Sequence, residues 1–363
     1  MTRSGFSRNH QLGLQSILRE RKMQTGPASD SALLENTRSS LGSIPCFRDV
    51  GSLAEFPGIL HRHRLMNCRH PLRILFSCLV AACSQPLAAG EGQAAVWPFF
   101  PFDNGVGRGV WPAPKQAEIV KSLGYDGIHY NYTNPKDFAS KIAACKAANV
   151  PIKAMYIYTF VNKPGSAYDP GIRDVIRMLK GSGTMIWMTL REGERGQQDS
   201  DAASVVREIA GLAAESGLQI SIYPHAGFYV STAEEAVRIA KIDHLPNVGV
   251  TINLCHELFA GNSERLGEVV DAAAPYLNLV SINGASPIPG KGPKAWDTFP
   301  LGSGSFDTTA FLQLLNAKGY RGPIGHQFFA VAGDDMEKLT KGVKTWKEIK
   351  PEILTPDAAH AAR

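Results

Sequence analysis

Cysteine is scarce where it would count. The chain has 363 residues and six cysteines, but Cys46, Cys68, Cys78 and Cys83 all precede residue 90. Only Cys145 and Cys255 remain for the long stretch that follows, one expected on a helix and the other at a strand end. Two such thiols offer little for a disulfide framework or a Cys-based zinc site. Charge of one sign is also scarce once it is located. The formal net charge is +5, yet residues 1–70 hold ten Lys and Arg against five Asp and Glu, leaving 28 of each sign for residues 71–363. That balance gives no basic surface for nucleic acid.

No long hydrophobic run is present. The apolar segment Ile74 to Ala82 is about half the ~20 residues a membrane-spanning helix needs. It follows Arg69 and Arg73 and precedes small residues and the polar GEGQ. This tripartite layout over residues 66–95 reads as a secretory signal, with a short core helix as the structural alternative. Val80-Ala81-Ala82-Cys83 also resembles a bacterial lipobox, which would place a lipid anchor at Cys83; cleavage nearer Ala89 or Ala95 is the other reading. Either makes the protein exported, periplasmic or secreted. Because a signal must be N-terminal to be read, we expect translation to start at Met66. The Ser/Arg-rich residues 1–65 are then an extension outside the mature protein, and residues 356–363 a tail.

The rest is rich in what a large core requires: 44% of the chain is hydrophobic. Residues 96–355 alternate short β-rich runs with helical ones. The runs are PFFPFDNG, YDGIHYNY, VPIKAMYIYTF, TMIWMTLR, LQISIYPHAG, VGVTINLCHEL, LNLVSINGAS and GPIGHQFFA. Helices are expected near Lys115 to Leu123, Pro135 to Ala148, Gly171 to Lys180, Asp201 to Ser216, Thr232 to Lys241, Ser263 to Ala273, Asp307 to Lys318 and Asp335 to Ile349. Capping residues precede them, as in Ser231-Thr232-Ala233-Glu234, and glycine follows, as in SLGY, ESGL and AKGY. Eight strands separated by eight helices over some 260 residues predict an α/β fold, a single (β/α)8 TIM barrel. No Gly-x-Gly-x-x-Gly follows the first strand, which argues against a doubly wound dinucleotide fold.

In such barrels the active site is built at the C-terminal strand ends. Here those ends carry Asp103 and Asn104, His129 and Asn131, Tyr156 and Tyr158, Thr189 with Arg191 and Glu192, Tyr223 and His225, Asn253 with His256 and Glu257, Ser281 and Asn283, and His326 and Gln327. The set is rich in His, Asn and Tyr and poor in clustered carboxylates, a composition suited to a small polyhydroxylated ligand.

Three stretches, GYDGIHY, NLCH and PLGSGSFDTTAFLQLLNAKGYRGPIGHQ, make the domain resemble the xylose-isomerase-like barrels, the superfamily of sugar isomerases and epimerases. The resemblance spans about Phe99 to Ile349. It implies a divalent cation held by Glu on the fifth strand, Asp on the sixth, His on the seventh and Glu on the eighth. The matching positions here are Tyr223, Asn253, Ser281 and Gln327, all neutral. No cofactor is therefore expected, because a divalent ion without an anionic ligand recovers too little of its lost hydration. A relocated site using His225, His256 and Glu257 is hindered, since adjacent residues 256 and 257 on a strand point apart.

The resemblance makes His225 and His256 the acid/base candidates, with two packed histidines as the structural reading. Asn253, Asn283 and Gln327 can bond sugar hydroxyls or tie loops together. Tyr223 can donate to a carbonyl oxygen or fill the barrel, and Glu257 and His129 complete the substrate-binding set. His326 should turn outward by alternation. Arg191 and Glu192 look functional because charges at that face are unusual, but the solvated loop EGERGQQDSD that follows favours a surface pair. Two functions follow: an isomerase or epimerase of a carbohydrate or keto-sugar, or a carbohydrate-binding barrel without catalysis.

Overall fold

The computed structural model describes residues 96–163 and 165–354. The expected extension, signal, Cys83 anchor and tail lie outside the described residues. Ten strands are present among the described residues: β1 (Phe99–Pro101), β2 (Ile128–Asn131), β3 (Ile152–Phe160), β4 (Met185–Arg191), β5 (Ile220–Ile222), β6 (Val248–Asn253), β7 (Leu277–Ile282), β8 (Gly284–Pro287), β9 (Trp296–Phe299) and β10 (Ile324–His326). Eight of them form one parallel sheet in the order β1-β10-β7-β6-β5-β4-β3-β2. The two ends of this sheet meet through a bridge between Phe102 and His129 and a 2.8 Å bond from the Asp126 amide to the Phe99 carbonyl. The barrel is thus nearly closed, a TIM barrel as expected.

The crossovers are helical: α1 (Ala113–Leu123), α2 (Pro135–Ala148), α3 (Ile172–Met178), α4 (Asp199–Glu215), α5 (Ala233–Asp243), α6 (Leu254–Ala260), α7 (Leu266–Ala273), α8 (Thr308–Ala317) and α9 (Asp335–Leu354). Local chemistry sets their ends. The Asn134 side chain accepts the Asp137 amide ahead of Pro135 at the start of α2, and Thr232 accepts the Glu235 amide at the start of α5. Gly124 stops α1 at φ 83°, a left-handed conformation that a side chain would strain.

Two elements depart from the sequence reading. The sixth strand stops at Asn253, and LCHELFA is the helix α6, ended by Gly261 at φ 91°. Apolar LCHEL is read equally well as strand or helix when it is this short. The antiparallel hairpin β8–β9 occupies what reads as a loop after the seventh strand.

Strand alternation separates two layers. Outward residues such as Met155, Ile157, Ile186, Met188, Ile222, Ile252 and Ile282 pack against the helices. Inward residues form a second cluster of Phe100, Phe102, Ala154, Tyr156, Trp187, Tyr223 and Leu279. Aromatic rings therefore fill the barrel axis. Trp187 sits at its centre, 4.9 Å from Phe102 and 4.6 Å from Tyr223, both edge to face, and its indole N–H bonds the Thr251 hydroxyl. Truncating a ring buried this way costs about 3–5 kcal/mol, so the axis is a rigid floor beneath the strand ends.

Candidate functional site

At the top of that floor three of the four positions aligned with the family's metal ligands are joined by hydrogen bonds, and the fourth, Ser281, lies beside Asn253. Tyr223 follows β5, Asn253 ends β6, Ser281 lies in register with Asn253 on β7, and Gln327 follows β10. The Tyr223 hydroxyl accepts the amide N–H of Asn253 and, at 3.3 Å, that of Gln327. Gln327 has a fixed orientation, because its Oε1 accepts the Phe328 and Phe329 amides at 2.8 and 3.0 Å and the Asn104 side-chain N–H at 3.2 Å. Its nitrogen must then face Tyr223. Burial pushes the Tyr223 phenol well above its ordinary pKa, so it stays protonated.

The two candidate histidines stand beside this group. His225 and His256 have ring centroids 4.1 Å apart, and His256 lies 6.0 Å from Tyr223. His225 stacks on Phe228 at 4.0 Å and bonds the Ala226 carbonyl through Nδ1 at 2.9 Å. Burial lowers its pKa to about 4, against a smaller opposing effect of that carbonyl. Burial and then the neighbouring His225 charge hold His256 well below the ordinary histidine range. Both rings are neutral at pH 7.

Several buried polar atoms here have no partner among the described residues: Asn104 Oδ1, Asn253 Oδ1, Ser281 Oγ, Asn283 Oδ1 and His256 Nδ1. Asn283 uses its nitrogen on the Gly284 carbonyl and leaves the oxygen unpaired. Buried polar groups are ordinarily bonded, since an orphan costs about 1–3 kcal/mol. Five orphans at one end of one barrel mark a place where a ligand with several hydroxyls could supply the missing bonds.

His129 belongs to the neighbouring corner. It packs 4.7 Å from Phe102 and 5.4 Å from Trp187, and its Nδ1 lies 3.7 Å from Asp103. Burial lowers its pKa to about 3. Asp103 is buried, which opposes its charge, but Arg108 and then His129 hold its carboxyl below the usual value. Arg108, not anticipated from the sequence, bonds Asp103 through Nε at 2.9 Å and lines a cavity of about 990 Å³ with Trp111, Asp137 and Lys141 beside α2. The signal that could have marked it is a lone charge in the glycine-rich turn GVGRGV.

Glu257, expected among the substrate contacts, is turned away from His256. On α6 it points about 100° away from His256. Its oxygens accept the Ala233 amide at the start of α5 and the Asn262 side chain, at 2.7 and 2.6 Å. Burial raises its pKa to about 7. His326 faces outward under α9: Nε2 accepts the Leu301 amide at 3.2 Å and Nδ1 meets the Tyr125 hydroxyl at 3.1 Å. Gly342 leaves room for it, since a Cβ there would lie 1.9 Å from the ring. Arg191 and Glu192 form no ion pair among the described residues; Glu192, at φ 57°, is exposed. Cys145 and Cys255 are free and buried. Among the described residues no cluster of three or more His, Cys, Asp or Glu is placed to hold a metal, and no helix is long and apolar enough to cross a membrane.

Solved structures share the architecture. The 3-keto-D-glucoside 4-epimerase of E. coli aligns with a TM-score of 0.55 at 13% identity, over 70% of this chain and 99% of its own. The D-allulose 3-epimerase of Methylomonas sp., solved with D-allulose, aligns at 0.54 and 18% over 70% and 98%. A xylose isomerase-like TIM barrel protein of Mycobacterium smegmatis, solved with magnesium, aligns at 0.56 and 17% over 71% and 98%. At such identities the likeness concerns the fold. No curated protein sequence matches the chain. Residues 117–349 match the family described as Xylose isomerase-like TIM barrel. The protein is a member of the xylose isomerase-like TIM barrel family.

Proposed function

We propose that this protein is an exported isomerase or epimerase of a carbohydrate or keto-sugar that moves a proton between carbon atoms without the divalent metal of its relatives. The observation that carries the reading is the set of neutral, unpaired polar atoms around Tyr223, Asn253 and His256. The four ligand positions do not fit a divalent cation. Tyr223 is protonated, and the Gln327 oxygen is occupied by backbone amides, so an N–H faces the centre where a cation would need a lone pair.

His225 and His256, neutral at rest, are suited to accept a proton first. The C–H bond next to a carbonyl breaks, its proton passes to an imidazole, and the electron pair moves onto the carbonyl oxygen. Tyr223, whose oxygen already accepts two amide N–H groups, has its own O–H to donate to that enolate. Return of the proton to the opposite face gives an epimer, and return to the neighbouring carbon after enediol rearrangement gives an isomer. The Asn253 and Asn283 oxygens and the Ser281 hydroxyl would hold the sugar's hydroxyls. The epimerases among the structural neighbours motivate keto-sugars as probes, and residues 66–95 motivate export.

The decisive measurement is deuterium incorporation into a panel of keto-sugars in D2O with EDTA present, followed by NMR. Exchange is expected in the wild type, with His256→Ala slowing it by about 10²–10⁴. Exchange undiminished in that variant would end the acid/base assignment. A carbohydrate-binding barrel is the second reading, favoured by the mutual pairing of the ligand positions. Tight sugar binding that survives both His225→Ala and His256→Ala, with no exchange, would establish it instead.

A further inference from the structure

Nine arginines lie among the described residues. Seven pair with carboxylates: Arg108, Arg173, Arg177, Arg195, Arg207, Arg238 and Arg265. Arg321 bonds the carbonyls of Asn316 and Tyr320. Arg191 alone of the nine has neither kind of partner among the described residues; its guanidinium is held only against aromatic faces, 4.5 Å from the Tyr158 ring centroid, 4.7 Å from Phe228 and 5.4 Å from Phe160.

Its position is at the mouth. Arg191 ends β4, where alternation from the inward Trp187 through Thr189 turns it to the barrel interior. Its register partner is Phe160, and Phe228, one of its aromatic supports, stacks directly on His225. The guanidinium is therefore one ring away from the proposed base. It is half-buried against these rings, and its N–H donors have no acceptor among the described residues. A second cation shares this rim: the Lys163 ammonium lies 4.2 Å from the Phe160 centroid, again with no ion pair among the described residues. Elsewhere at the mouth Asp103 neutralises Arg108. Both cations lie against the Phe160 ring, so an anion at that rim would meet positive charge from each.

We infer that Arg191, supported by Lys163, is the anchor for an anionic group on the sugar, so that the substrate is a sugar acid or a sugar phosphate rather than a neutral sugar. This rests on the sugar-site reading above and narrows its substrate class. A guanidinium fork matches carboxylate and phosphate oxygens alike, and the two sources are separable by experiment.

The test is isothermal titration of the whole protein with a panel of hexoses, each offered as the neutral sugar, its uronate and its 6-phosphate. One anionic form is expected to bind at least about tenfold tighter than its neutral parent, as befits a hydrogen-bonded charge pair. The preferred anion names the source. Arg191→Met, which keeps apolar bulk, should abolish the preference, while Arg191→Lys should retain part of it. Neutral and anionic forms binding the wild type equally would overturn the anion anchor and leave the sugar site standing. A preference intact in Arg191→Met would overturn the role of Arg191. Absence of binding by every sugar would bring down the sugar reading and this inference together. Should the variants unfold, the wild-type comparison and its weakening with added salt still decide.

Discussion

His326 ends a barrel strand and His256 lies in the first turn of the helix after another; both are buried, and they face opposite ways. His326 points into the layer between sheet and helices. There Leu301 donates to one nitrogen and the Tyr125 hydroxyl meets the other, while that hydroxyl donates to the Leu339 carbonyl at 3.0 Å. His256 points into the mouth, where Nδ1 has no partner. The same residue type is thus a finished structural joint in one layer and an unfinished bond in the other. Burial with every bond made stabilises a fold; burial with bonds left open stabilises it only when something else arrives.

Acid should test both regions at once, with the largest effect. Burial lowers the pKa of His129 and His326 to about 3 and of His225 to about 4, and holds His256 lower still than the ordinary value. Below pH 6.5 the unfolded chain binds protons that these rings refuse, so stability falls as pH falls, by up to about 1.4 kcal/mol per pH unit for each ring. Glu257 opposes this between about pH 7 and 4.5, because its raised pKa makes the folded state the better proton binder there. Three of the four rings face the mouth. Cooperative unfolding beginning above pH 4, followed by circular dichroism, is the expected outcome. Constant stability between pH 6.5 and 4.5 would mean that the mouth rings are hydrated and the contrast with His326 is lost.

His326→Ala should come next, costing about 3–5 kcal/mol in denaturant unfolding, since it opens a cavity and strips the Leu301 amide and Tyr125 hydroxyl of a partner. The matching His256→Ala removes an orphan and should cost clearly less. Equal costs would break the comparison. Tyr223→Phe probes the boundary between the layers. It keeps the ring on Trp187 but leaves the Asn253 and Gln327 N–H groups without an acceptor, so a loss of about 1–3 kcal/mol is expected, with a fall in deuterium exchange. A neutral change would show that those amides find other partners and that the hydroxyl is not the centre of the site.

The barrel was legible in the sequence because its signal is local. Alternating apolar runs, caps such as Thr232 and stops such as Gly124 act within a few residues, and repeating them eight times leaves little choice of architecture. The strand-end list named Tyr223, Asn253, His256 and Gln327 for the same reason. Less legible were segments where local signals agree with two states. LCHEL serves as strand or helix, and its being α6 aims His256 into the mouth and Glu257 at the start of α5. Arg191 beside Glu192 reads as a surface pair by adjacency, yet the backbone at Glu192 turns the carboxylate away and strand alternation turns the guanidinium inward.

By itself, then, the sequence determined the eight barrel strands and their helical crossovers, the neutrality of the four ligand positions and the residues available at each strand end. Tertiary structure alone decided which of them meet. Tyr223 and Gln327 are 104 residues apart in the chain, and Asn104 and Gln327 are 223 apart. Hydrogen bonds of that kind depend on barrel register and on which atoms are already occupied by backbone, and no local pattern of residues encodes either.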